Sequence, residues 1–157
     1  MADSLLIFGW GNPSRGDDAL GPALIERFEA ALPDHPEWGD VALLTDFQLQ
    51  PEHALDLEGR RRVLFVDASV SCAPPFAFSR LAPQREVGYT THAMRPAALL
   101  AVFRQLSGRD APPTWLLTIR GDAFELGEPL GAAAQAHLDA AAIFVESLLA
   151  GEWARDD

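Results

Sequence analysis

Four short runs of the chain are apolar at nearly every position: Leu5–Phe8, Val41–Leu44, Val63–Val66 and Trp115–Ile119. Continuous rather than alternating hydrophobicity over so few residues predicts strands covered on both faces. A fifth run, Phe76–Leu81, alternates more and follows Pro74-Pro75, which predicts a strand at a sheet edge. The segments between them follow a helical period. Leu20, Leu24, Ile25, Phe28 and Leu32 share one face of a predicted helix, with Asp17 and Asp18 placed to cap or charge its start. Pro51–Leu57 reads as a short helix with proline in its first turn, and Pro96–Leu106 as a helix ended by Ser107-Gly108. The Ala-rich stretch Leu130–Leu149, closed by Gly151, is the longest. This alternation predicts a single α/β domain over residues 1–157. It would be a three-layer α/β/α sandwich around a mostly parallel, twisted sheet of about five strands. The longest connection, from Ala82 to Thr91, is of a length that more often serves function than mere linkage.

Composition narrows the function. The 157 residues suffice for one core. Twelve basic against 23 acidic residues leave a net charge of −11, the wrong sign for holding nucleic acid or an anionic membrane non-specifically. All 12 basic residues are arginine, so P-loop and Schiff-base chemistry, which need lysine, are excluded. The one cysteine, Cys72, can form neither an internal disulfide nor a zinc cluster, which fits a reducing compartment. No stretch approaches the roughly 20 apolar residues of a membrane span. The first apolar run has no basic segment before it and is too short for an export signal. A cytoplasmic protein is the expectation.

In an open α/β sheet, chemistry gathers where the chain leaves the carboxyl ends of the strands. The first strand runs into Gly9-Trp10-Gly11-Asn12-Pro13-Ser14-Arg15-Gly16-Asp17-Asp18. Gly9-x-Gly11 opens a dinucleotide fingerprint, but Ser14 holds the place of the third glycine. Two aspartates at a helix start would also repel a pyrophosphate. The same acids suit a metal better. Together with Asp67 after the third strand and His92 before the third helix, they offer two carboxylates and an imidazole on separate strand exits, with positions open for water or substrate. The competing reading for each is a helix cap or a turn residue.

These residues resemble the hydrogenase maturation endopeptidases, which finish the large subunit of nickel–iron hydrogenases. The resemblance rests on Gly9-Trp10-Gly11-Asn12 with Asp17-Asp18 and Gly21, on Val66-Asp67-Ala68 and on Thr91-His92, and it spans nearly the whole chain. It implies that Asp18, Asp67 and His92 ligate nickel and that Asp17 is a helix-start or supporting acid. The nickel would come with the substrate, a metal-loaded precursor whose C-terminal extension the enzyme removes. Catalysis would run through metal-assisted hydrolysis or through Asp18 and Asp67 as an aspartyl-protease-like carboxylate pair. A non-catalytic module that senses nickel or a metallated partner is the rival class, and a monomer is expected when free.

Two departures bear on detail. Ala19 follows the acid pair where the family often has glycine. The second strand runs into Thr45-Asp46-Phe47-Gln48-Leu49-Gln50-Pro51-Glu52-His53-Ala54 instead of an Asp-Gly-Gly-Thr-like turn. With Ile119–Gly127, that version resembles the subgroup serving cytoplasmic NAD-reducing or bidirectional hydrogenases. It adds Gln48, Glu52 and His53 to Asn12 and Asp17 as candidates for substrate contact. Asp122 and Glu125 read as a solvated turn or as lining of the cleft. Arg60-Arg61-Arg62 reads as a solvated face and Cys72 as inert.

Overall fold

The computed structural model describes residues 4–84 and 94–153. Its strands are β1 (Leu5–Trp10), β2 (Val41–Asp46), β3 (Arg62–Ser69), β4 (Phe76–Arg80) and β5 (Thr114–Arg120). The helices are α1 (Leu20–Ala31), α2 (Pro96–Ser107) and α3 (Ala132–Ser147). The strands form one sheet in the order β2-β1-β3-β5-β4, with every pairing parallel except β4 against β5. This is the expected three-layer α/β fold.

Side chains alternate across the pleat and so divide each apolar run between two cores. Ile7, Leu64, Val66, Leu117 and Ile119 face α1 and α3, where they meet Leu24, Phe28, Leu138 and Val145. Leu6, Phe8, Trp10, Val63 and Phe65 face the other way, onto Leu57 and the α2 residues Leu99, Leu100 and Phe103. Each fully buried side chain of this size contributes about 1.5–3 kcal/mol of hydrophobic stabilisation. Two glycines, Gly9 on β1 and Gly21 on α1, set how closely the helix approaches the sheet, and a Cβ on Gly9 would lie 2.5 Å from the Gly21 carbonyl oxygen. A Cβ on Gly21 would lie 2.6 Å from the Trp10 carbonyl oxygen and 2.9 Å from that of Val66, so the helix start touches β1 and β3 backbone to backbone.

The structure departs from the pattern-based reading in four places. β2 ends one side of the sheet and is only half-buried, because no strand lies beyond it. β3 runs on past its apolar segment through Asp67 and Ser69, which pair with Thr118 and Arg120 of β5, so Asp67 lies within the strand. Residues Pro51–Leu57 form a 3₁₀ helix rather than an α-helix, started by a reciprocal cap between Gln50 and His53. Finally, neither Asp17 nor Asp18 caps α1; both lie in a 3₁₀ turn, Gly16–Ala19, that feeds into it.

Candidate active site

From β1 the chain passes to β2 on one side of the sheet, and from β3 onward it builds the other side. The connections that leave the neighbouring strands β1 and β3 therefore run to opposite sides, and at such a switch an open α/β sheet leaves a crevice beyond the strands' carboxyl ends. Asp18 follows the exit of β1 and Asp67 lies near the end of β3.

Asp18 is held by the loop it terminates. Its carboxylate accepts a hydrogen bond from the Asn12 backbone N–H at 2.8 Å, and its own N–H donates to the Arg15 carbonyl. Asn12 shapes the same loop, since its side-chain oxygen accepts from the Ser14 N–H at 2.9 Å. Gly11 makes the turn possible: its φ is +145°, and a Cβ there would lie 2.0 Å from the Asp18 carbonyl oxygen. The glycines that look like a nucleotide fingerprint thus serve close backbone approach. Gly11→Ala is expected to cost about 2 kcal/mol or more, read as a lowered thermal midpoint, because both the dihedral and the space are unavailable to alanine.

Asp67 is partly buried. One carboxylate oxygen accepts from the Ala68 N–H at 2.8 Å, and the Trp10 indole N–H also donates to the side chain. Burial pushes its carboxyl up to about 7, and the nearby charge of Asp18 pushes the same way against the pull of those two donors. A carboxyl whose ionisation is made more costly by burial and by a neighbouring carboxylate is suited either to sharing a proton or to receiving a cation.

Asp17 does different work. It is 2% exposed, and its carboxylate accepts from the N–H groups of Asp122 (2.8 Å), Ala123 (3.1 Å) and Gly131 (2.9 Å). Burial alone would raise its pKa, but these backbone donors outweigh that, and His137 adds to them, so the carboxyl sits below its ordinary value. The group is enclosed, and its carboxylate is occupied by the chain's own N–H groups.

Of the other candidates, Gln48 and Glu52 are exposed beyond β2, while His53 is buried. The His53 ring accepts at Nδ1 from the Gln50 N–H (2.8 Å) and lies 3.0 Å from an Asp46 carboxylate oxygen through Nε2. It also packs edge-on against Phe8. With Nδ1 an acceptor, Nε2 carries the proton that Asp46 accepts. Both ring nitrogens are engaged, so His53 fastens the β2 exit. The Asp46 partner was missed in the sequence, where an acid ending an apolar run seven residues before a histidine was the available signal. The Trp10 donor to Asp67 was missed as well.

Asp122 is exposed and ion-paired with Arg120, as a solvated turn would be, and Glu125 is exposed in the same loop. Cys72 is half-buried, with its thiol 3.6 Å from the Thr118 carbonyl oxygen. His92 lies outside the described residues. Among the described residues no three His, Cys, Asp or Glu side chains gather closely enough to hold a metal ion.

No protein-family profile and no curated protein sequence matches this chain. Solved structures do. The [NiFe] hydrogenase maturation protease HycI from Thermococcus kodakarensis superposes with a TM-score of 0.72 at 20% identity, over 94% of this chain and 93% of that one. The hydrogenase maturating endopeptidase HybD from E. coli gives 0.70 at 20% identity, over 95% and 94%. Hydrogenase 2 maturation peptidase from Thaumarchaeota archaeon SCGC_AB-539-E09 gives 0.63 at 22% identity, over 94% and 98%. Similarity over nearly the full length of each chain shows that they share this fold.

Proposed function

We propose that this chain is an endopeptidase that removes the C-terminal extension of a nickel-loaded nickel–iron hydrogenase large-subunit precursor. The observation that carries the reading is the Asp18–Asp67 pair at the crevice between β1 and β3. It stands on a fold shared with proteases of that kind, with one carboxyl raised by burial and by its neighbour. Asp18 and Asp67, with His92 as the third donor, would grip the nickel that the precursor brings. That grip lays the precursor's C-terminal segment across the strand exits. Nickel held there would supply Lewis-acid chemistry at the scissile carbonyl or at a water; a carboxylate accepts the attacking water's proton and passes it to the amide nitrogen, which leaves as an amine when the C–N bond breaks. Metal also answers the electrostatic problem of the site, since a cation between the two carboxylates stabilises their charged forms.

The raised Asp67 carboxyl favours a second mechanism within the same function. Beside another carboxyl, Asp67 can keep its proton near neutral pH and share it with Asp18 during hydrolysis, leaving nickel to recognition alone. With precursor-bound metal held constant, a rate that falls as pH rises through about 7 supports the shared proton. A rate that climbs through the same range supports the metal-assisted reading.

The subgroup serving cytoplasmic NAD-reducing or bidirectional hydrogenases belongs to this proposal through residues 45–54 and 119–127. So do the cytoplasmic location and the free monomer. No helix among the described residues is long and apolar enough to cross a membrane. His92→Ala and Asp18→Asn are each expected to eliminate shortening of the nickel-loaded precursor, followed by mass, while circular dichroism matches the parent. Undiminished processing by either would refute the ligand assignment. A chain that binds the precursor without ever shortening it would be the non-catalytic sensor instead.

A further inference from the structure

The strand order places one loop on each side of the Asp18–Asp67 pair: residues 47–50 leaving β2, and residues 121–131 leaving β5. Each loop is tied down, and each exposes a large apolar side chain. In the β5 loop, the Asp17 carboxylate holds three backbone N–H groups, and Gly127 N–H donates to the Ser14 carbonyl at 2.6 Å. Gly16 N–H donates to the Glu128 carbonyl, and Arg15 Nε to that of Phe124. Leu126, in the middle of this stitched loop, is 74% exposed and flanked by exposed Glu125 and Glu128. In the β2 loop, Asp46 accepts from the Phe47 N–H and pairs with His53, and Phe47 is 64% exposed.

A leucine and a phenylalanine held out by firmly bonded loops are left mostly uncovered by the described residues. Two such residues beside one crevice, each next to carboxylates, have the character of anchors for a partner. From these features we infer that Leu126 and Phe47 are the two ends of a docking surface for an extended, cationic polypeptide segment that crosses the carboxylate pair. β2 and β5 are three strand intervals apart, about 14 Å, which an extended chain covers in about four or five residues. The segment that fits carries apolar side chains at that spacing and arginine or lysine beside them, to meet Asp46, Glu125 and Glu128. Its identification with the residues around the cleaved bond of the precursor rests on the protease reading above.

The test uses the full chain and a fluorescein-tagged peptide of about seven residues, with leucines about four positions apart, arginine at both ends and serine and glycine between. The parent is expected to bind it, and the same peptide with glutamate ends at least about tenfold more weakly. Raising salt from about 50 to 300 mM is expected to weaken the cationic peptide severalfold. Leu126→Ser and Phe47→Ser are each expected to weaken binding by about fivefold or more, and the double variant by about twentyfold or more. Both side chains are exposed, so thermal midpoints stay at the parent's. No binding by the parent, equal binding of both peptides, or unchanged affinity in the double variant overturns the proposal. Precursor processing, followed in parallel, separates the two ideas. Peptide binding without precursor shortening refutes the protease and keeps the docking surface; shortening with an unchanged KM in the double variant does the reverse.

Discussion

Asp67→Asn is expected to slow precursor processing by at least about a thousandfold and, at pH 8, to give a protein more stable than the parent. The first effect follows because one of two facing carboxylates loses its charge and its basicity together. The second follows from the raised carboxyl. The group binds its proton more tightly in the folded chain, at about 7, than at the ordinary 3.8, so the folded state is penalised once the proton must leave. That penalty is absent below pH 4, grows as pH rises from about 4 to 7, and is complete above 7. At about 1.4 kcal/mol per pKa unit the ceiling is about 4 kcal/mol, and partial solvent access at the site lowers the expected gain to about 1–3 kcal/mol. Asparagine keeps an oxygen for the Ala68 N–H but has one acceptor atom fewer to share with the Trp10 indole N–H, which takes back part of the gain. Urea denaturation of both proteins at pH 8 and pH 5 checks the sign: the variant's advantage shrinks toward acid. Equal stability at both pH values would mean that Asp67 ionises freely. A gain in stability joined to a loss of activity is the mark of a residue kept for its chemistry.

Asp17→Ala is expected to have the opposite profile. Three part-buried backbone N–H groups, contributed by residues more than 100 positions away, lose their charged acceptor. Leaving such donors unmet costs about 3–5 kcal/mol. The carboxyl sits below its ordinary value, so its stabilisation is present above about pH 4 and is lost as pH falls through the folded-state pKa. The parent's margin over the variant should therefore be full at pH 7 and should narrow in acid. The loop 121–131 should also exchange its amide protons faster in the variant, because the carboxylate's share of its ties to Gly16–Ala19 is gone and only the backbone bonds remain. An Asp17→Ala protein with parent-like stability at pH 7 would show that the loops hold together without it.

Adjacent and chemically identical, Asp17 and Asp18 mark the boundary of what was legible in the chain itself. The glycine and aspartate pattern signals an unusual strand exit, but which acid turns inward depends on a loop over 100 residues later, and no local pattern carries that. The central strands were readable because covered sheets demand uninterrupted apolar residues. β2 was read as covered on both faces because its sequence is equally apolar, although it is an edge. The extension of β3 through Asp67 was hidden for the converse reason: its ladder with β5 is a backbone property and continues where hydrophobicity stops. His53 reads as a possible ligand from composition, yet its partners Asp46 and Gln50 turn it into a fastening. Gly11 and Gly21 were visible as glycines, while their purpose, backbone contact with Asp18 and Trp10, appears only in three dimensions.

The most direct test of the account mixes the purified chain with the nickel-loaded hydrogenase large-subunit precursor and, separately, with the same precursor free of metal, and follows precursor mass over time. Shortening of the nickel-loaded form alone is the expected result, lost with Asp18→Asn, Asp67→Asn and His92→Ala. Shortening of neither form by a folded chain, or of both forms at the same rate, would contradict it.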